Sequence, residues 1–147
     1  MWSACHPKSE EQLSECGQLG KSLSRLTQPS ILAVLARSDK PVHGYLIIQE
    51  MTSGPMFNGN APDPTGIYRI LKQMENNGLV TSEWDTSESG PAKRCYNLTD
   101  DGRACLRRWI EALACYAASI QDLRTLACDA LDIPVPEQPV CLKELEV

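Results

Sequence analysis

Asp63-Pro64-Thr65-Gly66-Ile67-Tyr68-Arg69-Ile70-Leu71-Lys72-Gln73-Met74-Glu75-Asn76-Asn77-Gly78 is the stretch on which the fold turns. An aspartate followed by proline is a strong helix start, the carboxylate capping free amides and proline taking the first helical position. Asn77-Gly78 supplies the stop, because glycine readily adopts the left-handed conformation that ends a helix. Laid out at about 100° per residue, Thr65, Tyr68, Arg69, Lys72 and Asn76 share one stripe of roughly 100°, with Gln73 at its edge. Ile67, Ile70, Leu71 and Met74 take the opposite side. One face is built to pack, and the other offers hydroxyl, phenol, amide and cationic groups.

The neighbours follow outward from this helix. Upstream, Gln28-Pro29-Ser30 opens a short helix, Ile31 to Arg37, with Ile31, Leu32, Val34 and Leu35 expected inside. Asp39-Lys40-Pro41 is a turn, and a second short helix runs from about His43 to Met51. Residues 52–63 hold two glycines and two prolines and read as a loop. Downstream, Leu79 to Thr86 and Lys93 to Leu98 are strand-like and flank Ser87-Glu88-Ser89-Gly90-Pro91, so they predict a β-hairpin. From Thr99 to about Leu131 the chain is helical, with Leu106, Trp109, Leu113, Tyr116, Ile120, Leu123 and Ala127 at alternating steps of three and four. That is a heptad seam. Ahead of everything, Ser9 to Leu26 reads as an amphipathic arm carrying Leu13, Cys16, Leu23 and Leu26, interrupted by Gly17 and Gly20. Pro134, Pro136 and Pro139 mark an extended tail.

Three short helices followed by a hairpin is the order of a winged helix-turn-helix, whose third helix enters the DNA major groove. The side chains suit that work. Arg69 or Lys72 can pair with guanine edges or phosphates, while Gln73 and Asn76 can read adenine. Tyr68 is long enough to reach a phosphate. Lys93 and Arg94, just after the wing turn, would lie beside the DNA backbone. Each feature has a plainer counterpart, a solvated helix face and a charged sheet edge; helix and wing together favour DNA.

The 147 residues are 42% hydrophobic and 22% charged, with one Phe, four Tyr and three Trp. That is an ordinary globular balance with room for one domain and helical extensions. The apolar runs are too short to cross a bilayer, and Met1-Trp2-Ser3-Ala4-Cys5-His6 lacks the pattern of a signal peptide. A membrane protein, a secreted miniprotein and a disordered tail are excluded, and a cytoplasmic location is expected. The net charge of −5 argues against indiscriminate nucleic-acid binding. It is unevenly spread: residues 28–98 carry six basic and seven acidic groups, whereas residues 99–147 carry five and nine.

Cys5, Cys16, Cys95, Cys105, Cys115, Cys128 and Cys141 form an odd set with no CxxC pair. No zinc motif is present, and reduced, mostly structural thiols are expected. Cys5, His6 and Cys16 are the one grouping suggestive of metal or redox chemistry. No cofactor or metal ligand is assigned. His6 and His43 are the only histidines, and GxSxG, Walker, GxGxxG and HExxH patterns are missing, so no enzyme is read. Asp100-Asp101 sit at a helix start, where acids meet the helix dipole favourably.

Three landmarks, in order and at compatible spacing, resemble the PadR-type winged-helix transcriptional regulators from about Pro29 to Ile110. They are Val42-His43-Gly44-Tyr45; Gly66 to Glu75 with Gly78-Leu79-Val80; and Gly90-Pro91-Ala92-Lys93-Arg94-Cys95-Tyr96-Asn97-Leu98-Thr99-Asp100-Asp101-Gly102. The chain departs from the family where Thr65 precedes Gly66, and where Cys95 and Asn97 replace an aromatic and a basic wing residue. The resemblance implies that His43 caps a turn and that the helix after the wing dimerises. It also implies that a flat hydrophobic effector can sit between subunits, with Trp109 as a candidate lining residue beside its plainer role in interface packing.

The resulting expectation is a mainly α fold with a small β-hairpin. Residues 1–27 form an N-terminal helical arm, 28–99 a winged helix-turn-helix domain, 100–131 a dimerisation helix and 132–147 a Pro-rich tail. The expected function is sequence-specific DNA binding by a homodimeric regulator, as a repressor on a palindromic double-stranded operator. The DNA-binding residues would be Thr65, Tyr68, Arg69, Lys72, Gln73, Asn76, Lys93 and Arg94. The interface would use Leu106, Trp109, Leu113, Tyr116, Ile120 and Leu123. Two other readings stand beside it: a winged-helix protein–protein adaptor without DNA binding, and a thiol redox or metal sensor.

Overall fold

The computed structural model describes residues 24–137, apart from residues 58 and 88. Most of the arm read over 9–26, the end of the tail, and Cys5, His6, Cys16 and Cys141 lie outside these residues. The chain divides into two compact units, one spanning Leu23–Glu111 and a second whose described part is residues 112–137.

In the first unit a 3-10 turn, Ser24–Leu26, leads into helix α1, Thr27–Ala36. The sequence placed this helix four residues later, reading Pro29 as a boundary. Proline is harmless in the first turn, where its missing N–H has no helical partner anyway. Strand β1, Val42–His43, precedes α2, Gly44–Ser53, and α3 is Pro64–Asn76. Strands β2, Val80–Asp85, and β3, Lys93–Leu98, form the wing, and α4 runs Asp100–Ala130. The hairpin is in fact part of a three-stranded antiparallel sheet, order β1-β3-β2. The added strand pairs Val42 with Tyr96 and His43 with Cys95. Two residues are too few to show a period of two, so β1 was invisible to pattern reading.

The start and stop of α3 are made as the sequence requires. Asp63 accepts a hydrogen bond from the Gly66 amide at 3.0 Å, and Gly78 sits at φ 73°. The Leu79 amide then donates back to the Met74 carbonyl at 2.9 Å, closing the helix end. The buried core joins Ile31, Leu32 and Leu35 of α1, Ile47 and Met51 of α2, Ile67, Leu71 and Met74 of α3, and Val80 and Tyr96 of the wing. The apolar face expected of α3 is the face that is buried.

The start of α4 is fixed against the end of α3. Thr99 donates its hydroxyl to the Gly78 carbonyl at 2.6 Å and accepts from the Gly102 amide at 3.0 Å, while its own amide bonds the Leu79 carbonyl at 3.1 Å. Cys105, Leu106 and Trp109 then pack, half-buried, against the winged-helix core. Leu106 and Trp109, expected at a subunit interface, thus also pack within their own unit and keep part of their surface exposed. A repeat of three and four marks a helix face as apolar without saying what covers it.

In the second unit Leu113 is half-buried, and Tyr116, Ile120, Leu123, Leu126 and Leu131 are exposed. The helix closes at Ala130, with Asp132 at φ 55° and the Ile133 amide donating to the Cys128 carbonyl at 3.0 Å. Arg124 donates to the Pro136 carbonyl, holding the first residues of the tail. No helix among the described residues is long and apolar enough to cross a membrane.

Candidate nucleic-acid interface

Thr65, Tyr68, Arg69, Lys72, Gln73 and Asn76 are all exposed on α3, while Ile67, Leu71 and Met74 are buried on its reverse and Ile70 is half-buried. The amphipathic split follows from spacing alone: residues three and four apart share a helix face. Tyr68 also leans over the start of α2. A Cβ placed on Gly44 would lie 2.5 Å from the Tyr68 ring, so glycine there is what lets the phenol approach that turn so closely.

Between α3, the start of α2 and the wing lies an open groove of about 460 Å³, lined in part by Tyr45, Tyr68, Lys72, Trp84, Lys93 and Arg94. Its cations and phenols are suited to phosphate and sugar, and its width is set by how the wing is tied to α3. That tie is Arg94. Its Nε and Nη2 donate to Ser82 Oγ at 3.0 and 2.8 Å, and Nη2 also donates to Glu75 Oε2 at 3.0 Å. Ser82 in turn donates to Glu75 Oε1 at 2.5 Å. The guanidinium lies over the Trp84 ring, 5.7 Å from its centre. A planar five-donor fork matches such a carboxylate and hydroxyl pair better than a lysine would. Arg94, expected to grip phosphate, thus fastens the wing to α3, and its partly exposed side chain also lines the groove. Sequence reading missed Glu75 and Ser82 because nothing local links two residues seven apart across a helix end and a strand.

Lys93 Nζ lies 5.4 Å from the centre of the Tyr45 ring, and the Tyr45 and His43 rings are 5.6 Å apart. Burial pushes the phenol of Tyr96 above its usual range, so that side chain serves as core. At the other end of β2, Ser87 donates its hydroxyl and its amide to Asp85 Oδ1 at 2.5 and 2.9 Å. Those bonds, with His43 and Lys93 near, hold the Asp85 carboxyl below the usual carboxylate range.

His43 departs from its expected role. It occupies the N-cap position of α2, but its side chain makes no capping bond. Instead Nε2 lies 3.3 Å from Asp85 Oδ2, and Nδ1 and Nε2 lie 3.5 and 3.8 Å from Cys95 Sγ. Cys95 is buried and reduced, its thiol pushed up by burial and by the Asp85 and Glu83 charges. These three residues come from three strands, and no sequence spacing could have grouped them.

The chain matches the model of the transcriptional regulator PadR-like family over residues 31–108, just over half its length. Among solved structures it is similar to TA0346 of Thermoplasma acidophilum, with 32% identity, a TM-score of 0.61, and coverage of 70% of this chain and 94% of that one. The same fold appears in a PadR family transcriptional regulator from Eggerthella lenta, with 21% identity, a TM-score of 0.62, and coverage of 78% and 96%. A 44-residue segment is 46% identical to the "probable transcriptional regulator" Rv1176c of Mycobacterium tuberculosis. That segment spans 30% of this chain and 23% of the relative's length. With the winged-helix order, the capped third helix and the wing all in the matched region, the chain belongs to the PadR-like family of transcriptional regulators.

Proposed function

We propose that the chain acts in the cytoplasm as a homodimeric, sequence-specific DNA-binding repressor. In this reading α3 enters the major groove of each half-site of a palindromic operator, and the wing lies along the flanking backbone. The observation that carries it is the one-sided exposure of Thr65, Tyr68, Arg69, Lys72, Gln73 and Asn76 on a helix whose other face is core. Arg69 and Lys72 supply charge and bidentate donors, Gln73 and Asn76 amides that match adenine, and Tyr68 and Lys93 reach for phosphate. Leu113, Tyr116, Ile120 and Leu123 form the self-association surface, since apolar side chains repeated along an exposed helix call for a partner with the same stripe. A small hydrophobic effector bound between subunits would release the operator, a step supported by the family alone.

Selection of bound duplexes from a random pool tests the core of this reading. A palindromic consensus supports dimeric, base-specific recognition, and retention of no sequence above background overturns it. One observation favours the adaptor alternative: Arg94 is committed to Glu75, which leaves the wing with less charge for DNA. Salt-independent or absent retention on duplex DNA would turn the assignment to that reading.

A further inference from the structure

The cluster where β1, β2 and β3 meet has the composition and spacing of a metal site. His43 and Cys95 are direct cross-strand partners, and so are Glu83 and Cys95. Because side chains alternate along a strand, Asp85, two residues beyond Glu83, projects on the same face. One ligand atom from each of His43, Asp85 and Cys95 falls within 4.8 Å of the others. A zinc ion bound at about 2.0–2.1 Å to nitrogen, 2.1 Å to oxygen and 2.3 Å to sulfur sets tetrahedral edges of roughly 3.4 Å for N···O and 3.6 Å for N···S. The corresponding distances from His43 Nε2 are 3.3 Å to Asp85 Oδ2 and 3.8 Å to Cys95 Sγ. Both lengths are within reach of one ion, but Nδ1 lies as near the sulfur, at 3.5 Å, so the imidazole must turn to aim Nε2 between sulfur and carboxylate as an ion enters.

We propose that His43 Nε2, Asp85 Oδ2 and Cys95 Sγ form a three-ligand site for a zinc-class divalent cation, with a fourth position open to water. An imidazole, a carboxylate and a thiol together favour a borderline ion over calcium or magnesium, which take oxygen alone. Binding converts the Cys95 thiol to a thiolate and releases its proton to solvent, so ion and proton exchange at sulfur. The His43 and Asp85 side chains are only 18% and 27% exposed, sheltered yet open enough for an ion to enter. Glu83, opposite Cys95, adds negative charge beside the site. An occupied site would staple all three strands, joining the start of α2 to the far end of β2. The placement rests on the fold and is independent of whether the chain binds DNA.

The test is titration of the reduced, chelator-stripped full-length chain with Co²⁺ alone, read by its visible d–d bands and its near-ultraviolet thiolate charge-transfer band. The expected result is a charge-transfer band that Zn²⁺ abolishes and that is lost in Cys95→Ala and in His43→Ala. Asp85→Ala should weaken binding by about tenfold or more, as one ligand of a small set is removed. Cys115→Ala, which alters an exposed cysteine elsewhere, should leave the band intact. If Cys95→Ala does not fold, His43→Ala and Asp85→Ala, checked by circular dichroism, decide the matter. No thiolate band in the parent, or a band unchanged by the His43 and Asp85 substitutions, would overturn the proposal.

Discussion

Two glycines at equivalent helix positions should respond to alanine with opposite signs. Gly66 and Gly102 each stand third in their helix, after the caps Asp63 and Thr99. Helix propensity favours alanine over glycine by about 0.8–1 kcal/mol at either place. At Gly66 an added Cβ meets Asp63 Oδ2 at 3.4 Å, an ordinary contact, so most of that gain should appear as stability. At Gly102 the same atom would lie 2.2 Å from the Leu79 carbonyl oxygen and 2.6 Å from Leu98 Cδ1. Leu98 can turn a methyl aside, but the Leu79 carbonyl is backbone and accepts the Thr99 amide. The helix start must retreat by roughly 1 Å, straining the Thr99 bonds to Gly78 and Gly102. Overpacking costs about 1–3 kcal/mol and a weakened cap about 1 kcal/mol, which together outweigh the propensity gain. Gly102→Ala should therefore be destabilised by about 1–3 kcal/mol, lowering Tm by several degrees at roughly 2–4 °C per kcal/mol for a chain of this size. Gly66→Ala should rise by a degree or more. Thermal and urea unfolding followed by circular dichroism measures both. Equal or greater stability in Gly102→Ala would falsify the packing argument, because propensity would then have decided the sign at both sites.

Arg69→Ala and Lys72→Ala should each weaken binding to a selected operator by about 1–3 kcal/mol, while unfolding stays within about 0.5 kcal/mol of the parent; operator binding as tight as the parent's in both would remove this face from the interface. Arg94→Ala should lower stability by roughly 1 kcal/mol, since a half-exposed ion pair contributes little by itself and the Trp84 contact adds a fraction more. Its salt slope on DNA should stay nearly unchanged, whereas Lys93→Ala should flatten it by about 0.9 per lost phosphate contact. A flattened slope with unaltered stability in Arg94→Ala would restore Arg94 as a phosphate ligand. Leu113→Asp with Ile120→Asp should give monomers or insoluble chains by sedimentation and reduce operator binding steeply; a soluble dimer would place the interface elsewhere.

The parts of the fold legible in the sequence were those written in local chemistry. Asp63-Pro64 and Asn77-Gly78 bound α3 by capping and by a left-handed glycine, and both do so in the structure. The face of α3 was equally legible, because one helical period settles which residues lie together. What escaped was long-range and short in extent. Strand β1 is two residues whose only justification is the partner Tyr96-Cys95 pair more than fifty positions away. The packing of Leu106 and Trp109 within their own unit depended on the depth of the core beneath them, a tertiary quantity that a heptad pattern does not hold. The resemblance of His43-Gly44-Tyr45 to a family turn located His43 at the cap position. It did not show that the imidazole turns away toward Asp85 and Cys95.

The net charge of −5 and the proposed DNA interface are compatible once the acids are located. Nine of the nineteen acidic residues fall in residues 99–147, after the wing. Of the acids nearest the groove, Glu75 faces Arg94 and Ser82, so its charge is answered within the protein and presents little repulsion to phosphate. Asp85 is held by Ser87 and lies against His43. Arg69 and Lys72, by contrast, are exposed and in no ion pair among the described residues. Attraction between charges falls off within a Debye length of about 8–10 Å, so a phosphate beside α3 senses these two cations far more than any carboxylate beyond that range. On the proposed reading, local placement rather than net charge governs whether this acidic chain can hold DNA. On that reading the Arg94 guanidinium, tied to Glu75, contributes geometry on the wing, and the exposed cations of α3 supply charge for DNA.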